Sequence, residues 1–160
     1  MQQILKNTAE RASRYLESLE TRPVFPTPEA LDRLAALDTP MPDHPESPEQ
    51  TLAALDEYAS PATVGMAGSR YFGFVIGGSL PAALAANWLA GAWDQNAGLY
   101  VSSPAMAVLE EITERWLVDV LGLPEGTGVG FVTGATMANF TGLAAARHKV
   151  LADQGWNVEA

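Results

Sequence analysis

Proline and glycine are almost completely segregated along this chain: eight of its eleven prolines fall at or before Pro61, and all fourteen glycines fall at or after Gly65. Proline removes a backbone donor and fixes φ, whereas glycine admits backbone conformations closed to other residues. The two stretches therefore fold under different rules. The change near residue 62 divides the chain into 1–62, which reads as an N-terminal helical segment, and 63–160, which reads as the start of a larger domain.

In the first stretch Leu5, Ala9, Ala12, Leu16 and Leu19 recur at helical spacing and predict an amphipathic helix over residues 3–20. The segment TRPVFPTPEALDRLAALDTPMPDHPESPEQ then holds seven prolines. Within it, Thr27-Pro28 and Ser47-Pro48 each set an N-cap residue before a proline suited to the first helical position, which predicts two short helices. Gln50 completes capping-box spacing with Ser47, and Leu52, Leu55 and Tyr58 form an apolar side. Three such helices joined by proline-rich loops enclose little volume. Each is expected to lie on a surface supplied by a later domain or a second subunit, the alternative being a small self-contained helical cap.

From Gly65 the chain reads as a glycine-punctuated loop, GMAGSRYFGFVIGGS, and then as a helix from Leu80 to about Ala92 with Pro81 in its first turn. Leu80, Leu84, Trp88, Leu89 and the intervening alanines leave that helix no solvated face, so it is expected to be buried in something larger. After the polar turn DQNAG, a long helix is expected from Pro104, capped by Ser103 and stopped at Gly122, with Val108, Ile112, Leu117, Val118 and Leu121 on its packed side. GVGFVT has strand character and runs into GATMANFTGLAAARHKVLADQG, a tight turn and a helix.

The net charge of −10, from 9 basic and 19 acidic residues, argues against a nucleic-acid partner, which needs clustered Lys and Arg. With no cysteine, and with His44 and His148 far apart in sequence, no disulfide framework and no metal site are expected. The first twenty residues alternate charged and apolar positions, so neither a signal peptide nor a spanning helix is expected. The expectation is a cytoplasmic protein without a membrane partner.

The junction VTGATMAN, Val132 to Asn139, bears the most chemistry. A turn at Gly134 followed by the N–H groups of Ala135 and Thr136 at a helix N-terminus favours a phosphate, and the Thr136 hydroxyl adds a side-chain donor. The same turn is also an ordinary way to begin a helix. The glycines at 126, 128 and 130 do not make G-x-G-x-x-G, and neither a Walker loop nor a G-x-S-x-G elbow is present.

Three blocks occur in order: RYFGFVIGGSLPAALAANWLAGAWDQN, SSPAMAVLEEITERWLVDVLGLP and GFVTGATMANFTGLAAARH. Together, over roughly residues 45–160, they resemble the group II pyridoxal-phosphate decarboxylases, a family that includes glutamate, aromatic-amino-acid, histidine and diaminobutyrate decarboxylases. The resemblance implies an α/β enzyme of fold type I, aspartate-aminotransferase-like, with the part covered here mostly helical. It further implies pyridoxal 5′-phosphate as cofactor, decarboxylation of an L-amino acid to its amine, and a homodimer. By the same resemblance Gly134, Ala135 and Thr136 grip the cofactor phosphate, and Phe72, Phe74, Val75 and Ile76 line the substrate pocket. The Asp94-Gln95-Asn96 turn and the helix start at Ser103-Pro104 resemble landmarks beside the dimer interface.

The chain departs from the family pattern at three places. Ala135 stands where members often carry serine or a second glycine, and Met137 where many carry Glu or Ser, but neither change removes a backbone donor. Val75-Ile76 replaces the Pro-Thr of aromatic-amino-acid decarboxylases, which leaves the substrate's identity open.

The resemblance places the Schiff-base lysine, the acid on the pyridine nitrogen and the ring-stacking histidine well downstream of the phosphate turn, so no catalytic residue is assigned within these 160 residues. The two lysines are Lys6 and Lys149, and Lys149 follows Thr136 by thirteen residues. Along one helix that is roughly 20 Å, which excludes Lys149 and His148 from a cofactor whose phosphate sits at the helix start. The ending Asn157-Val158-Glu159-Ala160 lacks a closing signal and is expected to belong to a longer protein. An aminotransferase or carbon–sulfur lyase on the same cofactor, or a non-catalytic helical interaction module, are the alternative functions. Trp88, Trp93 and Trp116 are read as core or interface packing, and Glu110, Glu111 and Glu114 as a solvated face with Arg115.

Overall fold

The structure is a computed structural model that describes residues 1–158, so Glu159 and Ala160 of the expected open ending lie outside the described residues. The order is α1 (Gln2–Ser18), α2 (Pro28–Asp32) running into a 3-10 turn (Arg33–Leu37), α3 (Pro48–Ala54) continued by a π turn (Leu55–Ala59) and a 3-10 turn (Ser60–Ala62), α4 (Pro81–Trp93), α5 (Pro104–Val120) and α6 (Ala135–Asp153). Two compact units form, Met1–Leu89 and Ala90–Ala160.

Both short helices of the first unit start as the capping chemistry predicts. Thr27 accepts from the Ala30 N–H, and Ser47 and Gln50 close a reciprocal capping box, each with proline at the helix start. The end of α1 is a junction of backbone carbonyls held by arginines. Arg22 donates to the carbonyls of Ser60, Pro61 and Thr63, and Arg70 donates to those of Leu19 and Arg22. Leu19 is buried there, as is the Pro26 ring. Gly68 lets the chain pass close by, because a Cβ there would meet the Leu19 carbonyl oxygen at 3.3 Å. Together with the Gly65 N–H donating to the Val24 carbonyl at 2.9 Å, these ties fold 63–70 back onto α1, beyond the change in composition at residue 62.

The N-terminal helices are therefore neither a finished cap nor wholly unattached. α1 meets the 55–63 segment through polar groups: Arg11 and Arg14 both pair with Asp56, and the Tyr15 and Thr63 hydroxyls lie 3.0 Å apart. Leu5 and Leu16 of the apolar stripe remain exposed, as do Leu80, Trp88 and Leu89 on and before α4. The burial expected for α4 is not supplied by the described residues.

In the second unit Asn96 forms a side-chain turn, its Oδ1 accepting from the Gly98 N–H at 3.1 Å. Ser103 occupies the N-cap of α5 but its side chain makes no capping bond, which corrects the sequence expectation. The reason is local: the Ser103 backbone, φ −156° and ψ 80°, is far from that of Thr27 (−72°, 157°) and Ser47 (−69°, 141°), the two hydroxyls that do cap. Its Oγ is buried without a hydrogen-bond partner. α5 ends in a complete Schellman motif, with Gly122 at φ +63°, its N–H on the Asp119 carbonyl and the Leu123 N–H on the Val118 carbonyl. α6 ends the same way at Gly155 and Trp156, whose N–H groups bond to the carbonyls of Ala152 and Leu151.

GVGFVT does not form a strand, and among the described residues there is none. A strand is made by ladder bonds to a neighbour, and no second extended segment lies beside this one. No helix among the described residues is long and apolar enough to cross a membrane.

Candidate functional site

The predicted phosphate-binding turn is the start of α6, a 19-residue helix with Gly134 at its N-cap. The first bond of the helix runs from the Ala138 N–H to the Gly134 carbonyl, so the N–H groups of Ala135, Thr136 and Met137 precede the ladder and point out of the helix end. No side chain caps them, and the first turn carries no acidic residue. The positive end of the helix dipole therefore has no carboxylate in the helix's own first turn, while Thr136 adds an exposed hydroxyl. This donor set fits a doubly charged phosphate: unpaired N–H groups, a hydroxyl, and no competing carboxylate.

Gly134 plays a different part from the one expected. Its φ of 163° and ψ of 177° are extended backbone open to any residue, and a Cβ placed there would meet nothing within 4 Å. No tight glycine turn is needed.

The approach to this turn is held from α5, since the Glu114 Oε1 accepts from the Val129 N–H at 3.2 Å. Glu114 is thus half-buried and engaged, and the reading of Glu110, Glu111 and Glu114 as one solvated face fails at this residue. Lys149 lies far along α6, its Nζ paired with Asp153 at 2.6 and 2.7 Å.

The second predicted set lies in the first unit. Phe72 and Phe74 are more than nine-tenths exposed, Val75 is fully exposed and Ile76 about half. Phe74 and Val75 take left-handed backbone, φ 53° and 57°, which is costly for a β-branched residue. Such a conformation persists where surrounding structure over-determines it, and the side chains of this loop touch little of the chain itself. The phosphate turn and this loop belong to different compact units.

The profile described as the pyridoxal-dependent decarboxylase conserved domain matches residues 28–154. The chain belongs to this family. Pyridoxal 5′-phosphate is the cofactor that membership brings, in agreement with the resemblance read from the three sequence blocks. Over 154 residues the chain is 29% identical to the aromatic-L-amino-acid decarboxylase of Rattus norvegicus, covering 91% of this chain and 32% of that one. It is 30% identical over 143 residues to tyrosine decarboxylase 2 of Narcissus pseudonarcissus, covering 86% and 29%. The crystal structure of Rhodiola rosea 4-hydroxyphenylacetaldehyde synthase matches with a TM-score of 0.61 and 28% identity, over 74% of this chain and 26% of that one. The fold is accordingly a largely helical portion of an α/β, aspartate-aminotransferase-like enzyme of the pyridoxal decarboxylase family, and the chain spans about a third of the length of the curated relatives it matches.

Two features of the site were outside the sequence reading. The Glu114–Val129 tie has no spacing signature, because its partners are fifteen residues apart across a turn. The lack of an acid in the first turn of α6 was legible in ATMAN but becomes informative only once the helix is seen to begin at Ala135.

Proposed function

We propose that the full-length protein is a pyridoxal-phosphate-dependent L-amino-acid decarboxylase in which Gly134, Ala135 and Thr136 hold the cofactor phosphate. The observation that carries this reading is the bare N-terminus of α6, with its unpaired N–H groups and no acid or side-chain cap. When bound, the cofactor supplies an electron sink for the bond broken at the substrate Cα. The contribution of the residues described here is to bind and orient: the Ala135 and Thr136 N–H groups and the Thr136 hydroxyl anchor the phosphate, and Glu114 holds the segment that leads to them.

Phe72, Phe74, Val75 and Ile76 are proposed to line the substrate pocket. Their exposed, left-handed loop is what a surface completed elsewhere in the assembled enzyme would leave behind. A homodimer is part of the same proposal, supported by the exposed apolar residues of α1 and α4. A cytoplasmic location is part of the same proposal. The absence of a polar side chain among the four pocket residues favours an amino acid with an apolar or aromatic body.

A second reaction on the same cofactor is favoured by one observation, the match to a structure named as an aldehyde synthase. Incubating the full-length protein with pyridoxal phosphate and a panel of L-amino acids separates the two. Amine and carbon dioxide in equal amounts are expected; aldehyde in place of amine would select the second reading, and neither product from any amino acid would overturn both. The 160-residue chain by itself is expected to turn over nothing, its lysines being Lys6 on α1 and the Asp153-paired Lys149.

A further inference from the structure

The arginines of α1 lie off its apolar stripe and meet the turn beyond the helix at a cleft. Arg11, Arg14, Tyr15 and Ser18 of α1 recur at helical spacing, and with Arg22 in the turn beyond the helix and Asp56 they line a cavity of about 400 Å³. In a chain with a net charge of −10, this cavity gathers three guanidiniums against the single carboxylate among its lining residues. Tyr15, Pro23, Pro26, Ala30 and Pro61 give the wall an apolar part, beside the hydroxyls of Ser18, Thr27 and Ser60.

The hydrogen bonds show which donors are spent. Arg22 donates to three backbone carbonyls through one terminal nitrogen and is fixed further by stacking over the Tyr15 ring, 4.9 Å from its centroid. Arg11 is committed to Asn7 and Asp56. Arg14 makes one bond, from a terminal nitrogen to the Asp56 Oδ2 at 3.2 Å, and its side chain is 61% exposed. Both pairings of Asp56 fall on the same oxygen, so one carboxylate answers two arginines through one atom. Arg14 thus lines the cavity with one guanidinium nitrogen engaged, and the cavity's three guanidiniums exceed its one carboxylate.

We propose that this cavity is a binding site for a small organic carboxylate, the carboxylate taken by Arg14 and the apolar body laid against Tyr15 and the proline wall. A guanidinium offers two parallel donors that match a carboxylate, and an apolar wall rewards a ligand with a hydrocarbon body over a bare ion. The site is independent of the cofactor turn, which lies in the other compact unit.

Titrating the purified protein with benzoate, with inorganic phosphate as the comparison, tests this by following the Arg14 and Tyr15 side-chain resonances. Saturable benzoate binding is expected with Kd on the order of 1 mM, and phosphate binding at least about ten-fold weaker. Arg14→Ala should weaken benzoate about ten-fold or more, and because Arg14 is exposed, the variant should keep its helicity by circular dichroism. Arg14→Gln carries the same expected loss and serves if the alanine variant does not fold. Asp56→Asn should tighten binding about five-fold by removing the competing carboxylate, a gain that a purely structural ion pair does not predict. No saturation at about 10 mM benzoate, equal binding of phosphate, unchanged affinity in Arg14→Ala, or weaker binding in Asp56→Asn would each overturn the site.

Discussion

Glu114 on α5 accepts a hydrogen bond from the Val129 N–H at 3.2 Å, so a charged side chain fixes the extended segment that leads into α6. The segment has no strand neighbour among the described residues, and this bond takes the place of one ladder contact. Replacing Glu114 with Ala is expected to destabilise the second unit by about 1 kcal/mol, with Glu114→Gln losing less because it keeps an acceptor. Urea unfolding followed at Trp116 measures it, and equal losses for the two variants would show that the bond contributes nothing.

The C-terminus of α5 depends on a left-handed residue. Gly122→Ala forces a Cβ into φ +63° and is expected to cost about 1 kcal/mol. Gly128→Ala is the matched comparison, since Gly128 has open space and no left-handed φ, and it should cost clearly less. Melting temperatures of the two variants decide this, and equal shifts would remove the Schellman account.

At α2, Glu29 has its carboxyl held below the ordinary value of 4.5, first by a backbone hydrogen bond and then by one from Thr27. A carboxyl lowered in the folded state stabilises it fully above the unfolded value, and that stabilisation is lost as pH falls through the folded value. Acidification below pH 4.5 should therefore weaken the α2 start, and Thr27→Ala should bring the Glu29 titration back toward 4.5. A titration followed by NMR at the Glu29 Cδ reads both, and an unmoved midpoint in Thr27→Ala would contradict the assignment of the second cause.

Local chemistry was legible in the sequence where a single stretch decides the outcome. Thr27-Pro28, Ser47 with Gln50, and Gly122 mark helix ends because a cap is made by residues three or four apart. Ser103 shows the limit: the residue type was right, but capping depends on ψ, which composition does not set. GVGFVT reads as a strand because its side chains suit one, yet a strand needs a neighbour that the described residues do not provide. VTGATMAN reads as a turn into a helix, and α6 does begin at Ala135, while the tight turn expected at Gly134 is absent because its backbone is extended. The Phe72–Ile76 loop was placed by family likeness, and its left-handed Phe74 and Val75 have no local signature.

The central claim is that the N-terminus of α6 holds the cofactor phosphate, and the affinity of the full-length protein for pyridoxal 5′-phosphate and for pyridoxal, with and without Thr136→Ala, tests it most directly. Loss of one hydrogen bond to a charged phosphate should weaken the phosphorylated cofactor by about 1 to 3 kcal/mol. Pyridoxal, which lacks that phosphate, should bind both proteins alike. Unchanged affinity for pyridoxal phosphate in Thr136→Ala, or an equal loss for both ligands, would contradict the assignment of this turn.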